Sequence, residues 1–294
     1  MKIEGLHVAI VYPVLGLGGL DVVIRDTGKL FASMGIHVHY YTIEWRDTEW
    51  QLPAPTHCSL SLLPDGAELW NQQAVDFVLQ ELRLRQISVL IIPNYFPGPY
   101  LDLLRSTGVK LVFWSHGMPL WEYHDSIEAR RFVVKKKLSR HLEWIFLRVP
   151  FKLWTGAYRR PWEDYYRRVI EGMDLYLTLC PAYARELAEQ LCLPSEQASK
   201  VVPLINTLQI EPQPTLEKEK LIVFVGRLGY ADKRVDRVID IWARAHKALP
   251  DWRVEIYGAG PDEQRLKAYL EQKGLPRIRF CGYTAETSEV YRRA

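Results

Sequence analysis

The chain has few of the features that define secreted, zinc-bound or membrane-spanning proteins. Its four cysteines are scattered over 294 residues, with no C-x-x-C pair and no Cys/His spacing typical of a zinc site. No apolar run reaches the length of a transmembrane helix, and the first residues lack a signal-peptide pattern. The net charge is only +3, so the overall charge indicates no particular partner. We therefore expect a cytoplasmic protein with reduced cysteines.

What the chain does have is an alternation of apolar strands and amphipathic helices. Hydrophobic residues make up 48% of the sequence, which is enough for a sizeable core. In the helix predicted over 21–34 we expect a face formed by Val23, Thr27, Leu30, Phe31 and Met34. The alternation predicts an α/β protein with doubly wound parallel sheets. The other predicted elements before residue 207 are strands at 8–12, 37–42, 89–92, 111–114 and 175–179 and helices at 74–85 and 182–191.

A polar segment divides the chain into two predicted domains. Residues 208–220 hold two prolines and five charged residues, a composition typical of an interdomain linker. We predict an N-terminal Rossmann-like domain over 1–207 and a partial C-terminal domain over 221–294. Because a doubly wound sheet needs helices on both faces, we expect this second sheet to expose apolar surface unless another segment covers it. Its predicted elements are strands at 221–225, 254–257 and 278–281, a helix with Val235, Val238, Ile239 and Trp242 on one face, a helix at 262–272 and a last helix beginning near 288.

The most informative motif opens the second domain. An apolar strand leads into Gly226-Arg227-Leu228, and Lys233 follows before the next helix. Cations and backbone N–H groups beyond the carboxyl ends of parallel strands are how many α/β proteins bind a diphosphate. Arg227 offers a planar fork of donors, and Lys233 offers a mobile point charge. The alternative is a pair of ordinary surface cations, which the positive end of the following helix dipole disfavours.

Three loops after predicted strands are further candidates. Gly258-x-Gly260-Pro261 follows a strand of the second domain, and a turn with Gly16, Gly18 and Gly19 follows the first strand. Neither turn has the G-x-G-x-x-G spacing, so a dinucleotide site is disfavoured. The third loop holds His116, which either faces a ligand crevice or bonds to loop backbone.

A basic and aromatic region spans residues 130–168. Twelve lysines and arginines stand against three acidic residues there, with aromatic residues between them. This mixture suits an anionic membrane surface, nucleic acid, or a helical excursion that packs its aromatic residues on the core. No known nucleic-acid module surrounds the region, so we expect no nucleic-acid partner. We assign the membrane or acceptor side to Arg130, Arg131, Lys135, Lys136, Lys137, Trp144 and Trp154.

Taken in order, these motifs resemble glycosyltransferases of family 4. Gly226-Arg227-Leu228 with Lys233, the glycine turn at 258–261 and the segment 278–283 follow one another as in that family. Gly18-Gly19, Ser115-His116-Gly117 and the segment 200–206 match the first domain of the same family. The resemblance covers almost the whole chain.

The resemblance implies a GT-B fold, in which an N-terminal domain binds a glycan or lipid-linked acceptor and a C-terminal domain binds a nucleotide sugar. It implies transfer with retention, without metal or cofactor, in polysaccharide or glycoconjugate synthesis at the inner face of the cell membrane. His116 would lie near the transferred sugar, and Arg227 and Lys233 would stabilise the leaving diphosphate. The donor-binding residues implied are Gly18, Gly19, Gly226, Arg227, Lys233, Gly258, Gly260, Phe280 and Gly282.

The sequence departs from the family in the donor site. The family carries a glutamate pair, E-x7-E, after the position where this sequence reaches Ala294. The resemblance therefore implies a C-terminally truncated donor site, and we expect this chain to transfer sugar poorly or not at all. The first loop also reads Gly19-Leu20-Asp21, where the family often has Gly-Gly-x-Glu. The alternatives are another GT-B enzyme of sugar nucleotides, such as an epimerase, and a noncatalytic acceptor-binding or membrane-binding remnant.

Overall fold

The described chain forms two compact units. The computed structural model describes residues 3–16, 18–48, 50–64, 68–124, 138–204, 218–229, 233–284 and 286–294. The described residues up to 204 form the N-terminal unit, and those from 218 form the C-terminal unit. Of the predicted linker, 208–220, only the last three residues are described.

The N-terminal unit is built on a parallel sheet of seven strands. They are β1 (His7–Val11), β3 (His37–Thr42), β5 (Cys58–Leu62), β6 (Val89–Pro93), β7 (Lys110–Trp114), β8 (Leu175–Thr178) and β9 (Val201–Pro203), while β2 (Val14–Leu15) and β4 (Glu44–Trp45) pair separately. The order is β5-β3-β1-β6-β7-β8-β9, and every neighbouring pair is parallel. The predicted parallel sheet is confirmed. Two of its strands were not predicted, because β5 alternates leucine with serine and β9 has only three residues.

Helices cover both faces of this sheet. They are α1 (Gly19–Ser33), α2 (Gln72–Leu84), α3 (Leu101–Arg105), α4 (Leu138–Glu143), α5 (Val149–Trp154), α6 (Arg160–Gly172), α7 (Pro181–Gln190) and α8 (Ser195–Ser199), and a π-helical turn, Trp144–Arg148, joins α4 to α5. One buried cluster includes Ala9, Val11, Leu90 and Ile92, and the other includes Val8, Ile10 and Ile91. Successive residues of each strand thus enter opposite cores. Within the ranges described, no helix has the length and apolar character needed to cross a bilayer.

The buried face of α1 differs from the predicted one. Leu30 and Met34 were predicted to face the core, but both are exposed. The buried face instead runs through Val23, Ile24, Thr27, Gly28 and Ala32. A Cβ atom at Gly28 would overlap the hydroxyl of Tyr40, so a helix position without a side chain admits this tyrosine. The prediction was therefore right for Val23, Thr27 and Phe31, which packs against the same core, and wrong for Leu30 and Met34.

The strand order places a crevice at one edge of the sheet. β1 and β6 are neighbours, and the chain proceeds outward from them in opposite directions. In open α/β sheets ligands bind outside the carboxyl ends of the strands at such a switch point. The loops after β1, β6 and β7 are consequently the ones to examine for function.

Four histidines stack at the opposite, amino edge. The ring centroids of His7 and His37 are 4.8 Å apart, those of His7 and His39 5.2 Å, and those of His37 and His57 5.1 Å. His39 also bonds through one ring nitrogen to His7 at 2.9 Å and through the other to Ser59 at 2.7 Å. Burial, then nearby Arg85, His7 and His37, lowers the pKa of His39 to about 4. His39 is therefore neutral at physiological pH.

The C-terminal unit is smaller, and one face of its sheet carries an apolar core. Its strands β10 (Leu221–Val225), β11 (Arg253–Tyr257) and β12 (Ile278–Gly282) pair in that order and in parallel, and its helices are α9 (Val235–Ala245), α10 (Glu263–Lys273) and α11 (Thr287–Arg293). Val235, Ile239 and Trp242 of α9 are buried in one cluster with Val254 and Ile256 of β11. This confirms the predicted amphipathic face of α9.

The other face of this small sheet is charged, so the predicted apolar exposure is wrong for β11 and β12. Glu255 is fully buried and accepts hydrogen bonds from Tyr257 at 2.8 Å, Arg279 at 2.7 Å and Arg293 at 3.1 Å, with Arg253 at 3.3 Å. Burial alone would raise the pKa of Glu255, but these hydrogen bonds outweigh it and lower the pKa to about 2. Because Arg293 belongs to α11, the network also attaches that helix to the sheet.

Candidate functional site

The glycine loop after β1 is closed by its own carboxylate. The Oδ2 atom of Asp21 accepts N–H groups from Gly16 at 3.2 Å and from Gly18 at 2.6 Å. A Cβ atom at Gly18 would lie 2.7 Å from the same oxygen, so glycine is required for this approach. At Gly19, by contrast, a Cβ would have no atom within 4 Å. Asp21, noted in the sequence only as a departure from Gly-Gly-x-Glu, thus caps α1, and donor binding by Gly18 and Gly19 stays a prediction.

His116 lies at the carboxyl edge, immediately beyond β7. Its backbone N–H donates to Oδ1 of Asn94 at 2.9 Å, and its ring centroid lies 4.5 Å from that of Trp114. Burial lowers the pKa of His116 to about 4. Its Nε2 atom is buried and has no hydrogen-bond partner among the residues described. A neutral imidazole with one nitrogen still to be satisfied is suited to bond a substrate hydroxyl.

Asn94 was not identified from the sequence. It follows β6 with φ of 58°, a left-handed conformation that asparagine tolerates better than most residues. Its own N–H donates to the carbonyl of Trp114 at 3.1 Å, so it links the ends of β6 and β7. The Pro93-Asn94 pair at a strand end was the available sequence signal, since such pairs mark tight turns.

The structure places Arg227 and Lys233 at the carboxyl edge of the C-terminal unit. Both are exposed. On either side of Arg227, the N–H of Gly226 donates to Tyr257 and that of Leu228 donates to Ala259, each at 3.0 Å. The backbone carrying the arginine is therefore fixed to the end of the neighbouring strand.

The glycines after β11 have a packing role of their own. A Cβ at Gly258 would overlap the carbonyl oxygen of Gly226, and φ at Gly258 is 140°. A Cβ at Gly260 would lie 2.5 Å from the carbonyl oxygen of Leu228. The two loops thus pack backbone against backbone.

The remaining predicted donor residues also have contacts within the unit. Gly282 has φ of 79°, and its carbonyl accepts the N–H of Gly258 at 2.8 Å. Phe280 is partly buried against the core of this unit. Donor contacts by Gly258, Gly260, Phe280 and Gly282 stay predictions.

The basic and aromatic region divides into two parts. Arg130, Arg131, Lys135, Lys136 and Lys137 lie outside the described residues, as does the side chain of Trp144. In α5 and the π-helical turn, Trp154 is 86% exposed, and Phe146 and Phe151 are 69% and 61% exposed. Farther on, Tyr158 and Tyr166 are buried. Core packing therefore accounts for Tyr158 and Tyr166, whereas the described aromatic residues before them are exposed.

The residues described contain no candidate metal site. No group of three or more His, Cys, Asp or Glu side chains there could hold a metal ion. The amino-edge histidines are stacked face to face and do not converge on a point. The expectation of metal-free chemistry stays a prediction.

Comparison with solved structures defines the class of fold. The chain is similar to WaaG, described as a glycosyltransferase involved in lipopolysaccharide biosynthesis, with a TM-score of 0.58 and 17% identity over 96% of this chain and 72% of that one. It is also similar to TarM of S. aureus, with a TM-score of 0.66 and 10% identity over 98% of this chain and 78% of that one. The fold is the GT-B fold of glycosyltransferases, as the sequence predicted.

Comparison with family models then defines the family. The model described as Glycosyltransferase Family 4 matches residues 17–207, and the one described as Glycosyl transferases group 1 matches residues 206–294. The chain belongs to glycosyltransferase family 4. It is 25% identical over 78% of its length to the UDP-N-acetylglucosamine--peptide N-acetylglucosaminyltransferase GtfA subunit of Streptococcus gordonii. The match spans 40% of that protein, and the match to an uncharacterized glycosyltransferase of Haemophilus influenzae spans 42% of the latter.

Proposed function

We propose that the protein transfers a sugar, with retention, from a nucleotide-sugar donor to a glycan or lipid-linked acceptor in polysaccharide or glycoconjugate synthesis. The observation that carries the proposal is the cationic loop of the C-terminal unit. Arg227 is exposed on backbone bonded to the next strand, and Lys233 is exposed shortly before α9. Because the chain belongs to glycosyltransferase family 4, the reaction in which this loop would act is the transfer of a sugar.

A uridine nucleotide is the first donor to test. The streptococcal relative is named for UDP-N-acetylglucosamine. The structures similar to this chain include TarM with UDP and pneumococcal GtfA with UDP and GlcNAc. In the proposed reaction the diphosphate leaves as negative charge builds on its oxygens, and Arg227 and Lys233 stabilise that charge without a metal ion. We place neutral His116 beside the transferred sugar.

Calorimetric titration of the purified chain with UDP, in buffer containing EDTA, tests the donor assignment. We expect Arg227→Ala and Lys233→Ala each to weaken UDP binding about tenfold or more, because each removes a charge-assisted contact. Lys247→Ala is the matched control, since Lys247 is an exposed lysine just beyond the far end of α9. Equal affinities in all four proteins, or binding that appears only with added Mg²⁺, would contradict the assignment.

We also propose that α4, the π-helical turn and α5 contact an anionic membrane surface from the cytoplasmic side. The described part of this segment buries no large side chain, and its aromatic residues alternate with cations such as Arg148 and Lys152. Aromatic side chains at the headgroup boundary and cations on anionic lipid are the usual elements of such an interface.

Flotation with vesicles of phosphatidylglycerol, and with phosphatidylcholine vesicles as reference, tests the membrane proposal. We expect the protein to float with the anionic vesicles, and Phe151→Ala with Trp154→Ala to abolish flotation. Tyr291→Ala is the control, because it removes an exposed aromatic ring from the other unit. Flotation without UDP binding would support the noncatalytic alternative.

A further inference from the structure

An exposed tryptophan lies five residues after His116. Trp121 is 43% exposed, although a ring of this size contributes most when it is buried. It is the first residue of a short helical turn, 121–124, that follows the loop beginning at Ser115 at the carboxyl edge of the sheet. An exposed aromatic ring beside a candidate catalytic residue calls for an explanation.

The ring of Trp121 is held in a fixed orientation. A Cβ at Gly117 would overlap the indole, so the ring lies directly against the backbone next to His116. Glu122, the next residue, accepts the hydroxyl of buried Tyr166 at 2.8 Å. The ring is therefore anchored at its edge while a large part of its surface remains open.

The residue before Trp121 supports the same conclusion. Leu120 has φ of 53° and is 1% exposed. A left-handed conformation is costly for leucine and persists only where surrounding packing imposes it. Buried contacts of Leu120 and Glu122 on either side thus fix Trp121, and such preorganisation is a feature of binding loops.

The residue types in this segment limit the class of ligand that the ring of Trp121 can bind. Its sequence from Ser115 to Glu122, SHGMPLWE, contains no lysine or arginine, which disfavours a phosphorylated group beside the ring. Because the edge of the indole that carries its N–H lies against Gly117, the ring offers its face to a ligand. The negatively polarised face of an aromatic ring attracts weakly positive C–H groups, and a pyranose ring presents a row of these on one side with hydroxyls at its rim.

We propose that Trp121 is the stacking platform for a neutral pyranose ring of the acceptor, with a rim hydroxyl directed toward His116. The inference rests on the proposed function and deepens it, because it makes the acceptor a glycan at this position. Glu122 and Gly117 act as positioning residues for the platform.

Saturation-transfer NMR of the full chain with methyl glucoside, methyl galactoside and methyl N-acetylglucosaminide tests the proposal. This measurement detects weak binding directly and needs no catalytic turnover. We expect transfer to the C–H protons of at least one pyranoside. Trp121→Leu, which keeps an apolar side chain without a flat face, should reduce that signal about fivefold or more, whereas Trp121→Phe should retain most of it. Trp45→Ala is the control, since it removes another exposed indole of the same unit.

Two outcomes overturn the inference. One is a pyranoside signal unchanged in Trp121→Leu, and the other is no signal with any pyranoside in the unaltered chain. A parallel titration with UDP keeps the two proposals apart. Loss of UDP binding counts against the proposed donor, while a signal that depends on Trp121 supports the platform whatever the UDP result.

Discussion

The two units stabilise their parallel sheets in different ways. In the N-terminal unit, four consecutive residues of the central strand β1, from Val8 to Val11, are buried, and apolar cores lie on both sides. In the C-terminal unit, β11 alternates, with Val254 and Ile256 facing an apolar core while Glu255 faces a charged network. The sequences of parallel strands that are buried on both faces are normally continuous apolar runs. The alternation in β11 therefore marks a sheet with one apolar face, even though all its pairs are parallel.

We expect the largest loss of stability from a substitution that removes the charge at the centre of the charged face. Glu255→Gln removes the negative charge among Arg253, Arg279 and Arg293, and we expect it to lower the free energy of unfolding of the C-terminal unit by about 3 kcal/mol, because breaking a buried pair leaves uncompensated charge. Hydrogen exchange with mass spectrometry should show faster exchange in peptides from β10 to β12. Peptides from β1, β6 and β7 should be unaffected.

The matched control for Glu255 is an exposed ion pair in the same unit. Glu263 and Lys267 are 2.7 Å apart on the surface of α10, and Glu263→Gln should cost only about 0.3–0.5 kcal/mol. Similar losses in the two variants would mean that the network contributes no more than a surface pair.

We expect the next largest difference when the pH is lowered, because the two units should lose stability over different pH ranges. The folded pKa of His39 is about 4, below its ordinary value of 6.5, so the unfolded N-terminal unit binds more protons and its stability falls as the pH drops from 6.5 toward 4. Glu255 contributes stability that is lost only as the pH falls from 4.5 toward about 2. Calorimetry at a series of pH values should therefore show the N-terminal unit losing stability first.

His39→Gln sharpens this test because it removes one titrating ring from the stack. The remaining charged neighbours are Arg85 and Glu81, which form an ion pair at 2.5 Å. We expect the acid-induced loss to shift to lower pH in this variant. An unchanged profile would show that the stack does not govern the acid sensitivity of this unit.

The last comparison concerns the two glycine loops, and we expect the smallest effect at Gly19. Gly258→Ala should destabilise the C-terminal unit by about 1–3 kcal/mol, because it combines an unfavourable φ with overlap on Gly226. Gly19→Ala should leave the stability of the N-terminal unit unchanged or slightly raise it, since alanine favours a helix start over glycine. Thermal unfolding of both variants checks this, and weaker UDP binding by Gly19→Ala at unchanged stability would indicate a ligand contact at Gly19.

Much of the fold could be predicted because its signals are local. The apolar runs of β3 and β10 have the predicted bounds, and the spacing of Val235, Ile239 and Trp242 predicts the buried face of α9 correctly. Strand-end motifs also predicted that His116 and Arg227 lie at the carboxyl edges of the sheets, because a loop after a parallel strand begins at that edge. Their roles in binding stay predictions.

The rest depends on contacts between residues distant in sequence. Glu255 is stabilised by Arg279 and Arg293 from other elements, and no local pattern distinguishes it from an exposed strand residue. The role of Asn94 depends on its bond to His116, 22 residues away. The histidine stack forms only when β1, β3 and β5 align in register, and β5 itself was not predicted.

The packing of the two loops in the C-terminal unit bears on how sequence variation in this family is interpreted. Gly258 and Gly260 must lack side chains because the backbone from Gly226 to Leu228 occupies that space, and this holds for any donor. Selection for folding alone would keep both glycines in a descendant that had lost its substrate. In a family alignment, retention of these two glycines would therefore report on architecture and not on donor binding.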